Sequence, residues 1–113
     1  MNNIELLTEV RIEDRMVKVF REPEISEKDA HSILDHFMEK LSNGQIVNKK
    51  GEPKKILGAN FIIIRKDHSV LCGHKTDDQP YRLVHAVLKD IKPEELNKPT
   101  PMIGNYSDDR KYE

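Results

Sequence analysis

Tryptophan is absent, and three Phe and three Tyr make up the whole aromatic content of this 113-residue chain. A core drawn from such a supply is aliphatic and modest in size. There is one cysteine, Cys72, so no disulfide can form within the chain, which fits a reducing compartment. Long apolar runs are also missing. The longest is Phe61-Ile62-Ile63-Ile64, whereas a membrane-spanning helix needs roughly 18 such residues. The stretch from Met1 to Glu9 mixes carboxylates with aliphatics and lacks the basic-then-apolar pattern of a secretory leader. These absences lead to the expectation of a cytoplasmic protein without a membrane partner.

Motifs that would announce a chemistry are equally scarce. Neither GxxxxGK[ST] nor GxGxxG occurs, and there is no GxSxG or HExxH. Cys72-Gly73-His74 is the one local thiol–imidazole pairing, with His68 on the same parity and His85 further along. A zinc site needs about four ligands at tight spacing, and no second close pair exists here. A single cysteine within a strand is more often a small hydrophobe than a nucleophile. His31 and His36 are five residues apart on a helical pattern and cannot share a ligand. Glu94-Glu95 and Asp108-Asp109 are sequence neighbours whose side chains diverge, so neither reads as an acid–base dyad. No metal, no cofactor and no catalytic constellation are expected, and no motif names a family.

What is present begins with charge. The formal net charge is only −1, which argues against a broad polyanion binder. That balance is unevenly spread. Residues 1–40 carry six basic and ten acidic side chains, residues 41–75 seven and two, and residues 76–113 six and eight. The middle segment is therefore at +5 between flanks of −4 and −2. Lys49, Lys50, Lys54 and Lys55 flank a Gly-containing turn, and Arg65 ends an apolar run. Cations around free backbone N–H groups suit a phosphate or another anion. Tyr81 and Arg82 add a stacking ring and a guanidinium fork at the start of an expected helix. No aromatic series interleaves with the basic residues, so sequence-specific nucleic acid is not an expected partner.

Hydropathy patterning supplies the fold. Ile4, Leu6, Val10 and Ile12 alternate with polar neighbours, predicting a strand. A Glu13-Asp14 turn would set Val10 against Val17, Glu9 against Lys18 and Leu7 against Phe20. Ser26 followed by Asp29 resembles a capping box, Ala30, Ile33, Leu34, Phe37, Met38 and Leu41 recur at helical spacing, and Asn43-Gly44 is a stop. A short strand is expected over Gln45–Asn48, then a polar turn at 49–53. Ala59 to Arg65 is apolar on both parities, as in a strand covered on both faces. Lys66 to Ser69 reads as a turn and Val70 to His74 as the hairpin partner. A second helix is expected from an Asp78 cap, burying Leu83, Val84, Val87, Leu88 and Ile91 and ending before Pro93.

The expected architecture is α+β: a small antiparallel sheet of about four or five strands with two amphipathic helices on one side. Residues 1–97 form the single domain, and 98–113 an extended C-terminal arm with a partly disordered end. Met102, Ile103 and Tyr106 on that arm, together with the small core, point to a homodimer. The expected function is non-enzymatic binding of an anionic, nucleotide-like small molecule through Lys49, Lys50, Lys54, Lys55, Arg65, Tyr81 and Arg82. The alternative is a protein–protein inhibitor or adaptor, a small accessory protein with no ligand pocket.

Overall fold

Alternation near the N-terminus becomes a two-stranded hairpin whose inner face packs under a helix. A computed structural model describes residues 3–48, 50–53, 59–74, 83–88, 99–101 and 103–104. β1 (Glu5–Ile12) and β2 (Arg15–Arg21) pair antiparallel, with Glu13 and Asp14 as the connecting turn. Val10 faces Val17 and Glu9 faces Lys18, as the alternation predicts. Leu7 does not face Phe20. The register shifts between Leu6 and Thr8, and Leu6 takes that place. A bulge of this kind is invisible in the sequence because Leu6 and Leu7 are the same residue type.

α1 (Glu27–Ser42) begins where Ser26 Oγ accepts the Asp29 backbone N–H at 3.1 Å. Glu27 and Asp29 in the first turn complement the positive end of the helix dipole. The helix ends in a Schellman arrangement. The Gly44 N–H donates to the Leu41 carbonyl, the Gln45 N–H donates to the Lys40 carbonyl, and Gly44 takes a φ of +70°. Ala30, Ile33, Leu34 and Phe37 are buried, with Met38 and Leu41 half-buried beside them. They pack on Ile12, Val17, Val19, Ile62, Ile64, Val70 and Cys72, which form the helix-facing side of the sheet.

The remaining strands are β3 (Ile46–Val47), β4 (Phe61–Ile64), β5 (Val70–His74), β6 (Leu83–Leu88), β7 (Thr100–Pro101) and β8 (Ile103–Gly104). Six of them build one sheet in the order β1-β2-β4-β5-β6-β8, and β3 pairs with β7 apart from it. β4 lies inside the sheet, and all four of its residues are buried. Ile62 and Ile64 face α1, while Phe61 and Ile63 join Phe20 and Leu71 in a second cluster on the opposite side. That two-sided burial explains the unbroken apolar run.

The α+β class stands, while three finer expectations do not match this architecture. The sheet is mixed, because β2 and β4 run parallel. α1 lies in the connection between these neighbouring strands, and a chain that crosses over a sheet returns in its original direction. The sheet also has six strands where four or five were expected. The third departure concerns the second helix. Leu83–Leu88 is strand β6, antiparallel to β5. A near-continuous apolar run of this length reads equally well as a buried strand or a helix face, and β5 supplies the long-range partner that decides it. The expected cap Asp78 and terminus Ile91–Pro93 lie outside the described residues. Of the expected arm over 98–113, the described part forms β7 and β8, which pair with β3 and β6.

Candidate functional site

The basic turn is held by one asparagine. Asn48 Oδ1 accepts the backbone N–H groups of Lys50 at 2.8 Å and Glu52 at 3.1 Å. The Asn48 carbonyl accepts the Gly51 N–H at 3.0 Å, and the Asn48 N–H donates to the Glu52 carbonyl at 2.9 Å. Gly51 takes a φ of +82°, which closes the loop at little steric cost. The backbone donors of Lys50, Gly51 and Glu52 are therefore used within the turn itself. Lys50 is exposed there, whereas Lys49, Lys54 and Lys55 lie outside the described residues.

Arg65 occupies a different setting. Only 2% of it is exposed, and its Nε donates to Ser69 Oγ at 2.6 Å. The Ser69 hydroxyl donates in turn to Asp67 Oδ1 at 2.6 Å, and Asp67 Oδ1 also accepts the Ser69 backbone N–H. Asp67 lies 3.8 Å from the Arg65 guanidinium. The backbone closes the same turn, with Arg65 N–H bonded to the Ser69 carbonyl and His68 N–H to the Arg65 carbonyl. A guanidinium committed in this way organises the β4–β5 turn. Tyr81 and Arg82 lie outside the described residues.

Buried charge elsewhere was missed by sequence reasoning. Glu22 directly follows β2 and is 4% exposed, and its Oε1 accepts the Lys66 backbone N–H at 2.8 Å. The Glu22 N–H extends the parallel ladder by donating to the Ile64 carbonyl. Lys40 is fully buried in the last turn of α1. A signal for Lys40 did exist: it falls three residues after Phe37, on the apolar stripe. Glu22 carried none, since its burial depends on a turn 44 residues away.

Cys72 is fully buried in the cluster under α1, so its thiol is not presented to a substrate. The register shifts beside it, between Cys72 and Gly73, and a glycine within a strand is a common place for such an irregularity. Among the described residues no group of three or more His, Cys, Asp or Glu could hold a metal ion. No helix among them is long and apolar enough to cross a membrane.

One surface stands apart from these buried groups. The register places Leu6, Glu9 and Arg11 of β1 on the same side as Phe20, Lys18 and Met16 of β2, turned away from α1. Leu6 is 59% exposed and Met16 50%, and they are the large hydrophobic side chains left exposed among the described residues. Glu9 and Lys18 sit opposite one another between them, and Arg11 is opposite Met16. No known family model, curated protein or solved structure matches this chain.

Proposed function

We propose that this chain is a non-enzymatic protein-binding module, an adaptor or inhibitor, that meets its partner through the outer face of the β1–β2 hairpin. One observation carries the reading: the exposed large hydrophobics, Leu6 and Met16, share one hairpin and one face. Scattered exposed hydrophobics need no explanation, but their coincidence on an otherwise charged ribbon gives a mixed patch like that of a non-obligate interface. Methionine suits such a surface because its unbranched thioether adapts to the opposing shape. Glu9 and Lys18 balance each other across the strands, which leaves Arg11 as the unbalanced charge of the face. The fitting partner is a protein surface with an apolar patch and a nearby carboxylate.

The test is stoichiometric co-purification from the native source, comparing the wild-type chain with a Leu6→Gln/Met16→Gln variant. Both positions are exposed, so the variant keeps its fold. Recovery of one protein at near-equal amounts by the wild type, lost in the variant, supports the reading. Equal recovery by both moves the interface elsewhere.

Binding of an anionic nucleotide-like molecule remains a second reading, favoured by the +5 charge of residues 41–75. Its charges would come from Lys54, Lys55 and Arg82 more than from the occupied turn at Asn48. A nucleotide that binds the folded chain raises the melting temperature by mass action. A broad panel that leaves the melting temperature unchanged removes this reading.

A further inference from the structure

β1 is the first strand of the sheet order and bonds β2 on one side. Which of its groups point the other way follows from β2. The Lys18 N–H is directed to the Asn60 carbonyl and the Glu22 N–H to the Ile64 carbonyl, both on the β4 side. Even-numbered residues of β2 thus turn their backbone groups toward β4, and odd-numbered ones toward β1. Val17 and Val19 consequently exchange hydrogen bonds with Val10 and Thr8, while Glu9 and Arg11 hold their N–H and C=O groups outward. The Thr8 hydroxyl makes a long 3.5 Å contact with the Glu9 carbonyl. No other strand among the described residues pairs with this edge.

We propose that two copies of this chain pair antiparallel through β1, with the two-fold axis at Val10. The inference stands independently of the hairpin-face reading. In that register Glu9 of each copy lies opposite Arg11 of the other, so both outward-pointing positions form hydrogen-bonded pairs between opposite charges. Val10 meets its own copy on the helix side, and Thr8 meets Ile12. The competing registers are worse. An axis at Glu9 sets Glu9 against Glu9. An axis at Arg11 sets Arg11 against Arg11 and Glu9 against Glu13. An axis at Thr8 places the Leu7 bulge in the pairing zone. An axis at Ile12 sets Arg11 against Glu13 but leaves Glu9 without a place on the partner's β1, so the Val10 register is the one that matches both outward charges within the strand.

The apolar surroundings agree. Leu7 and Val10 on β1 and Met38 and Leu41 on α1 are half-buried around the same core cluster. Pairing at Val10 sets the Leu7 and Val10 flank of one copy beside that of the other. The joined sheet would hold twelve strands and carry two hairpin faces side by side.

Sedimentation equilibrium of the full chain over the micromolar range tests this, with circular dichroism as the check on folding. The wild type should pass from monomer to dimer as concentration rises. Arg11→Glu sets like charges against each other twice and should move the midpoint about tenfold or more to higher concentration. Glu9→Arg/Arg11→Glu rebuilds both opposite pairs and should return the midpoint toward wild type. Arg11→Pro leaves the β1–β2 ladder intact, because the lost N–H points outward, and should yield a folded monomer. A wild type that stays monomeric overturns the proposal. So does a dimer that Arg11→Glu and Arg11→Pro leave unchanged.

Discussion

Glu22 Oε1 accepts the Lys66 backbone N–H at 2.8 Å, tying the end of β2 to the β4–β5 turn across 44 residues of sequence. The contact sits where the parallel pair of strands ends, and Glu22 is nearly inaccessible there. Removing the carboxylate leaves a donor without its acceptor in a poorly hydrated place. Glu22→Ala should therefore cost about 1–3 kcal/mol of stability. Glu22→Gln keeps an acceptor oxygen at the same reach and should cost less. Urea unfolding of the two variants decides it, and equal losses would show that the hydrogen bond contributes little.

Two turns place non-glycine residues at positive φ, Glu13 at 59° and His68 at 68°. A β-carbon is strained in that region, while glycine adopts it freely. Glu13→Gly and His68→Gly should each raise stability by about 0.5–1 kcal/mol, the relieved strain exceeding the added chain entropy. The turns lie at opposite ends of β2 and β4, so the gains should add. Thermal unfolding of the single and double variants measures this.

Asn48 ties Lys50, Gly51 and Glu52 together through its side chain and backbone. Asn48→Ala should destabilise the protein by about 1–2 kcal/mol, since two backbone donors lose their acceptor. Asn48→Asp retains the acceptor oxygen and should be milder. Adding phosphate should change neither difference. A loss seen with phosphate present and absent without it would instead assign the loop an anion.

Cys72 is enclosed by the cluster under α1. Its reaction with a thiol reagent in the native protein should be slow, and should accelerate when denaturant populates the unfolded chain. Cys72→Ser exchanges a fully buried thiol for a more strongly hydrated hydroxyl and should cost about 1–3 kcal/mol. Cys72→Ala should cost less. Fast labelling of the folded protein would reopen a nucleophilic role.

Phe37 is the largest α1 side chain that is wholly buried. Phe37→Ala should remove about 3–5 kcal/mol, through lost transfer energy and the cavity left behind. For a chain of this size that is a large share of the total, and calorimetry should show a much lower melting temperature.

The candidate site was legible only as a tendency. Clustered lysines are visible in any sequence, but Asn48 captures the turn's donors through bonds that depend on the loop's closed shape. Arg65 was noticed for its charge, yet its role follows from Ser69 and Asp67 folding back on it. Leu6 reads as a strand residue on the parity of Val10 and Ile12, and only the bulge turns it to the outer face that Met16 shares.

Local physics was enough for the parts of this protein whose partners are near in sequence. The Ser26 cap, the α1 stripe, the Gly44 stop and the β4–β5 turn depend on neighbours within five residues, so residue order alone determined them. Long-range pairing decided the rest. Leu83–Leu88 became a strand because β5 offers it a ladder, and β4 runs parallel to β2 because the intervening chain crosses over by way of α1. The scarcity of aromatics required an aliphatic core, and the consecutive buried Ile62, Ile63 and Ile64 of β4 show how it is met. Which faces those aliphatics cover, and which described strand ends the sheet order, depended on contacts between segments far apart in the chain.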